Sequence, residues 1–177
     1  MKNYALYHAD DLCYPSGGSP FRPDTAFPEY PFDVETVGEG ANPVYHGVRE
    51  TLRLAGLDSA RFGEPSWNPL GEYIKPGMRV IVKPNLVNHD NLSGMDKECL
   101  YTHPAVIAAA IDYVVIALKG EGSIVLADAP VQSCDFNTLV KESELADLVA
   151  WYRRRGVNIE LRDLRGLKSV STASGLK

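Results

Sequence analysis

The sequence predicts an α/β protein, a Rossmann-like three-layer sandwich with a mostly parallel sheet that is incomplete at its carboxyl end. Three observations carry this expectation. Between Arg79 and Leu164, strand-like and helix-like segments alternate in the order strand, helix, strand, helix, strand. Two of the three strand-like runs, RVIVKPN and SIVLADAP, carry unbroken apolar residues at 80–82 and 124–127 rather than an in-out alternation, as strands buried on both faces do, and VNIELRDL is the third. Their polar residues collect at the carboxyl ends, where open parallel sheets gather ligands. Strand, helix, strand order of this kind implies parallel pairing through right-handed crossovers.

The elements follow in order. NYALY at 3–7 reads as a short strand. From Cys13 to Gly40 the chain is dense in Pro, Gly and aromatics without any period, yet Phe21, Phe27, Tyr30 and Phe32 are too apolar for a free linker, so this stretch is expected to wrap over the body. NPVYHGVRETLRLAGLD places Val44, Tyr45, Val48, Leu52 and Ala55 on one helical face, with Asn42 as cap before Pro43 and Gly56 as stop. After the turn-rich PSWNPLGEYIKPG comes the first core strand, RVIVKPN. THPAVIAAAIDYVVIALKG is a helix with one continuous apolar face from Val106 to Leu118. SIVLADAP is the second strand, FNTLVKESELADLVAWYRRRG is one helix or two with a break near Ser143 and Glu144, and VNIELRDL is the third strand. RGLKSVSTASGLK then has no period. The expected organisation is a single domain over 1–177, with a wrapping segment at 1–41, an α/β core at 42–165 and a flexible or truncated tail at 166–177.

Composition narrows the function. The 177 residues are 45% hydrophobic and 23% charged, and the net charge of -5 argues against a general nucleic-acid or anionic-membrane binder. Cys13, Cys99 and Cys134 are odd in number and scattered, which fits a reducing, cytoplasmic setting and gives neither a zinc ribbon nor an iron-sulfur cluster within this chain. The amino terminus lacks an apolar stretch of signal-peptide length, and VIAAAIDYVVIAL is shorter than the roughly 20 residues of a membrane span. No P-loop, G-x-G-x-x-G or G-x-S-x-G is present, so nucleoside triphosphate, dinucleotide and α/β-hydrolase fingerprints are absent and the cofactor is unknown.

The strand ends carry KPNLVNHDN, DAPVQSCDF and RDLR. Lys83 and Asn85 follow the first strand, Asp128 the second, and Arg162, Asp163 and Arg165 lie at the third. Thr102 and His103 precede the Pro104 helix, and Gln132, Ser133 and Asp135 precede the next, where helix amino termini attract anions. Together they suit an anionic small molecule or a metal-bridged phosphate or carboxylate. Lys83 would neutralise the anion and Asn85 would orient it, with Thr102, Gln132 and Arg162 as further ligand-binding groups; Asp128 would act as general base or metal ligand, and His103 as second ligand or acid. Plainer roles compete. Lys83 can snorkel, Asn85 can form a turn, Asp128, His103 and Asp135 can cap, Cys134 can be a small buried hydrophobe, and RRRG at 153–156 can offset a helix dipole.

The series WNPLGEYIKPGMRVIVKPNLV, YTHPAVIAAAIDYV, IVLADAPVQSCDF and LRDLR resembles the family labelled domain of unknown function (DUF) 362, with similarity running from the amino-terminal loop to Arg165. The matching motifs are Lys83, Pro84 and Asn85; Thr102, His103 and Pro104; and Asp128, Ala129 and Pro130. The resemblance implies the amino-terminal part of a longer member, so the remaining carboxyl-terminal chain or a partner subunit is an expected partner. Some members carry clustered-cysteine iron-sulfur segments, which this sequence does not contain. Two rivals to an anion-binding enzyme domain follow: a scaffold for an iron-sulfur-linked electron-transfer or regulatory protein whose cluster segment lies elsewhere, and a non-catalytic ligand-binding domain.

Overall fold

A computed structural model describes residues 4–10, 12–166, 171–172 and 175–176. Strands β1 (Arg79–Val82), β2 (Ser123–Asp128) and β3 (Ile159–Asp163) form a sheet in the order β1-β2-β3, with both pairs parallel. The helices are α1 (Pro43–Leu54), α2 (Pro104–Leu118), α3 (Phe136–Glu142) and α4 (Leu145–Arg153). The expected α/β sandwich is therefore present. A strand order that advances one way through right-handed crossovers sets α2 and the α3–α4 pair on the same face of the sheet.

That face holds the core. Ile124, Leu126 and Ile159 pack with Ile107, Ile111, Val114 and Leu118 of α2 and with Leu148, Val149 and Tyr152 of α4. Most of α2 is buried because α1 covers it on one side and the sheet on the other, which is why its sequence is apolar nearly all round. Alternation along β2 sends Val125 and Ala127 to the opposite face. There Arg79 and Arg162 both pair with Glu160, at 2.7 and 3.0 Å, and Ile81 remains 63% exposed.

The local signals act as chemistry requires. Asn42 caps α1, its side chain accepting from the Tyr45 N–H, with Pro43 in the first turn where no N–H is needed. Asp135 caps α3 by accepting from the N–H groups of Asn137 and Thr138. The crossover after β2 is two helices, broken at Ser143 and at Glu144, whose φ is 58°. Gly122 enters β2 with φ 110°, and a Cβ there would collide with Met78 O.

Residues 4–41 contain no strand or α-helix among those described, so the strand expected at 3–7 is not formed over 4–7; Asn3 lies outside the described residues. An isolated segment with no neighbouring strand has nothing to satisfy its backbone as a ladder. The aromatics that follow dock instead. Phe32 packs edge-on against Trp151, Phe27 stacks on Tyr45, and Asn42 Nδ2 donates to the carbonyls of Phe21 and Arg22. Of the tail at 166–177, residues 167–170, 173–174 and 177 lie outside the described residues; Ser171–Thr172 (β4) and Gly175–Leu176 (β5) pair antiparallel.

Candidate functional site

β1 ends at Val82, and the chain turns at Pro84 into a segment that pairs with the approach to α2. Leu86 and Tyr101 form an antiparallel bridge, the Asn85 N–H donates to Thr102 Oγ1 at 2.9 Å, and the Thr102 N–H returns to Asn85 O at 2.8 Å. The sequence signals Lys83-Pro84-Asn85 and Thr102-His103-Pro104 are thus brought side by side. Val131 N–H donates to Val87 O, which sets Gln132 beside the same segment.

Asp128 closes β2 on the core face, directly in register with Asp163 of β3. Only 4% exposed, it accepts from the Leu86 N–H at 2.6 Å and from Lys83 Nζ at 2.7 Å. Burial works to raise its pKa, but Lys83 and the backbone N–H groups of Leu86 and Ala129 outweigh it and hold the carboxyl below its ordinary value. The carboxylate is a fixed acceptor whose proton affinity is reduced, which suits it to hold charge and poorly to abstract a proton near neutral pH. Lys83 is different. Its side chain is 59% exposed, and an ammonium has three donors of which Asp128 takes one direction. Asn85, two residues on, and Gln132 are also exposed.

The neighbouring carboxylate, Asp163, has its own cation. Arg165 donates to both Asp163 oxygens, and its Nη1 reaches the carbonyls of Val131 at 2.9 Å and Cys134 at 2.8 Å. This guanidinium pins the loop between β2 and α3. Cys134 is buried below it, and burial pushes its thiol pKa up. Arg162 is elsewhere. Its register partner is Ala127, so it leaves the sheet on the face opposite Asp128 and pairs with Glu160.

His103 is not beside Asp128 in any recorded contact among the described residues. It is the cap of α2: Nδ1 accepts from the Ala105 N–H at 3.1 Å, while its carbonyl takes the Val106 N–H. Tyr14 stacks on its ring at 4.0 Å and Phe21 meets it edge-on. Burial lowers its pKa, against the opposing charges of Glu98 and Glu144, so the ring is neutral at pH 7. Because Pro104 has no N–H and His103 takes the next two, the end of α2 has little left for an anion. His103→Ala is expected to lower stability by about 1–2 kcal/mol, whereas His103→Asn, which keeps a capping acceptor, loses less; urea denaturation of both variants measures the difference.

The sequence places Arg165 at the rim without an individual role and cannot identify the N–H groups of Leu86 and Ala129, since backbone donors leave no residue-type signature. The available hint was the pairing of Asp163 with a cation two residues on. Among the described residues no group of three or more His, Cys, Asp or Glu side chains is arranged to hold a metal, and no helix is long and apolar enough to cross a membrane.

Residues 80–176 match the family model described as Domain of unknown function (DUF362). The match starts within β1 and passes Arg165, so its extent differs from the expected run between the amino-terminal loop and that residue. No curated protein and no solved structure matches the chain.

Proposed function

The chain belongs to the DUF362 family, and on that premise we propose that it binds an anionic small molecule at the carboxyl edge of its sheet, with Lys83 as the contact. The observation that carries this reading is the asymmetry of the Lys83–Asp128 pair: the carboxylate is 6% exposed and the ammonium 59%. A buried acid anchors the inner side of an exposed cation, so the cation is held in place with donors directed to solvent. Asn85 and Gln132 supply amides around it, and Thr102 fixes the Asn85 backbone. Asp128 is a positioning residue in this reading. His103 sets the end of α2 and takes no part in proton transfer, and Arg162 belongs to the opposite face. No reaction is assigned.

Thermal unfolding in the presence of phosphate, sulfate, malonate and citrate tests the reading. An anion at 100 times its Kd stabilises the folded state by about 2.7 kcal/mol, which raises Tm by roughly 5 °C or more in a domain of this size. Lys83→Met keeps the apolar stem and should remove that rise without lowering the ligand-free Tm by more than a few degrees. If no anion shifts the native chain, or if one shifts both proteins equally, the rim is not the site.

A further inference from the structure

The wrapping segment passes over α1 at Gly47, where a Cβ would stand 3.4 Å from carbons of both Tyr7 and Leu12. Beside that crossing lies a cavity of about 510 Å³. Tyr7 and Tyr14 wall it from the segment, Val44, Val48 and Leu52 from α1, and Val106 from α2. None of its lining residues carries a charge, and the one hydroxyl supplied by α1, that of Thr51, is already satisfied by donating to Gly47 O at 2.8 Å. No residue of the Lys83 rim takes part.

We propose that this cavity is a second ligand site, for the aryl group of a small molecule. Its volume falls in the range of small-ligand pockets, roughly 300–1,000 Å³, and its apolar lining is what such pockets share. Two phenol rings along one wall favour a flat aromatic guest, because aromatic pairs gain stabilisation in offset or edge-on contact beyond their buried area. The roof is suited to admit one. Leu12 N–H donates within the segment to Ala9 O, and among the described residues Tyr7 and Leu12 meet the body at Gly47 and Tyr14 stacks on His103, contacts that are apolar and aromatic. Such contacts can part and re-form around a guest without stranding a buried hydrogen bond.

The experiment is a fluorescence titration of the full chain with N-phenyl-1-naphthylamine, a neutral aryl probe whose emission rises in apolar surroundings. The expected result is a saturable rise with one site per chain. Val48→Gln and Leu52→Gln, at half-buried positions of α1, should each weaken it at least tenfold, while Val48→Leu stays within twofold and Lys83→Met has no effect. Circular dichroism confirms that the variants fold. A rise that does not saturate, a Gln variant that binds like the native chain, or a cavity closed in solution by a second copy, seen as a dimer that excludes the probe, overturns the proposal.

Discussion

Arg49→Ala is expected to destabilise the protein by about 3–5 kcal/mol, the usual consequence of removing one partner of a buried ion pair. Arg49 Nε meets Glu29 Oε1 at 2.7 Å, with side-chain exposures of 10% and 1%. The guanidinium also lies 4.5 Å from the ring centre of Phe27, 4.3 Å from Phe62 and 5.3 Å from Trp67. Removing it leaves the buried Glu29 carboxylate, among the described residues, with only the Tyr113 hydroxyl, at 3.2 Å, and takes the cation from three rings. Arg49→Lys keeps the charge but loses the planar fork, so it should be destabilised less. Combining Glu29→Gln with Arg49→Met removes both charges and should cost less than the sum of the two single changes. Urea denaturation of the five variants measures this, and a loss below about 1 kcal/mol for Arg49→Ala would show that the ion pair adds little to the hold on the wrapping segment.

The second large effect depends on pH. Asp112 lies in the middle of α2, 3% exposed, with the Tyr152 hydroxyl 2.5 Å from one carboxyl oxygen and the Tyr45 hydroxyl 3.1 Å from the other. Burial raises its pKa from 3.8 to about 7, against the hydrogen bonds from Tyr152 and Tyr45. Tyr152 also lies 3.0 Å from Ala108 O and has a single proton to give. A protonated Asp112 resolves that competition: the acid donates to Tyr152, and Tyr152 donates to Ala108 O. Since the folded-state pKa lies above the unfolded one, the stabilisation is fully present below about pH 4 and is lost as pH rises through about 7. A shift of this size corresponds to at most about 4 kcal/mol. Asp24, Asp58 and Asp128, whose pKa values are lowered, act oppositely in acid, so the comparison with Asp112→Asn isolates the buried group. Asn reproduces the protonated acid, accepting from Tyr45 and donating to Tyr152. Relative to Asp112→Asn, the native chain should lose at least about 2 kcal/mol between pH 5 and pH 8. An unchanged difference would show that Asp112 is ionised throughout.

Much of the core was legible because its signals are local. The apolar runs at 80–82 and 124–127, the Asn42 and Asp135 caps and the break at Ser143 and Glu144 each act within a few residues, and the helices and strands form where those signals lie. The site was legible in part. Lys83 and Asp128 meet because both end neighbouring parallel strands, which strand order predicts. Arg162 and Asp163, adjacent in sequence, leave on opposite faces because side chains alternate along a strand, and a register is needed to say which goes where. The capping role of His103 is local and was legible as one of its readings, but its packing against Tyr14 and Phe21 was not, since they are some 80 or more residues away and come from a segment without a period of its own. The Arg49–Glu29 pair was equally hidden, since a buried ion pair between a loop and a helix has no sequence spacing.

The most direct test of the anion-binding account is the side-chain NMR signal of Lys83, read at its ε carbon while phosphate is added at constant ionic strength. The account predicts that this signal moves with saturation while those of Lys75 and Lys119, away from the rim, stay in place, and that Asp128→Asn, which loosens the ammonium, weakens the response. A Lys83 signal that stays still, or one that moves linearly together with Lys75 and Lys119, would contradict it.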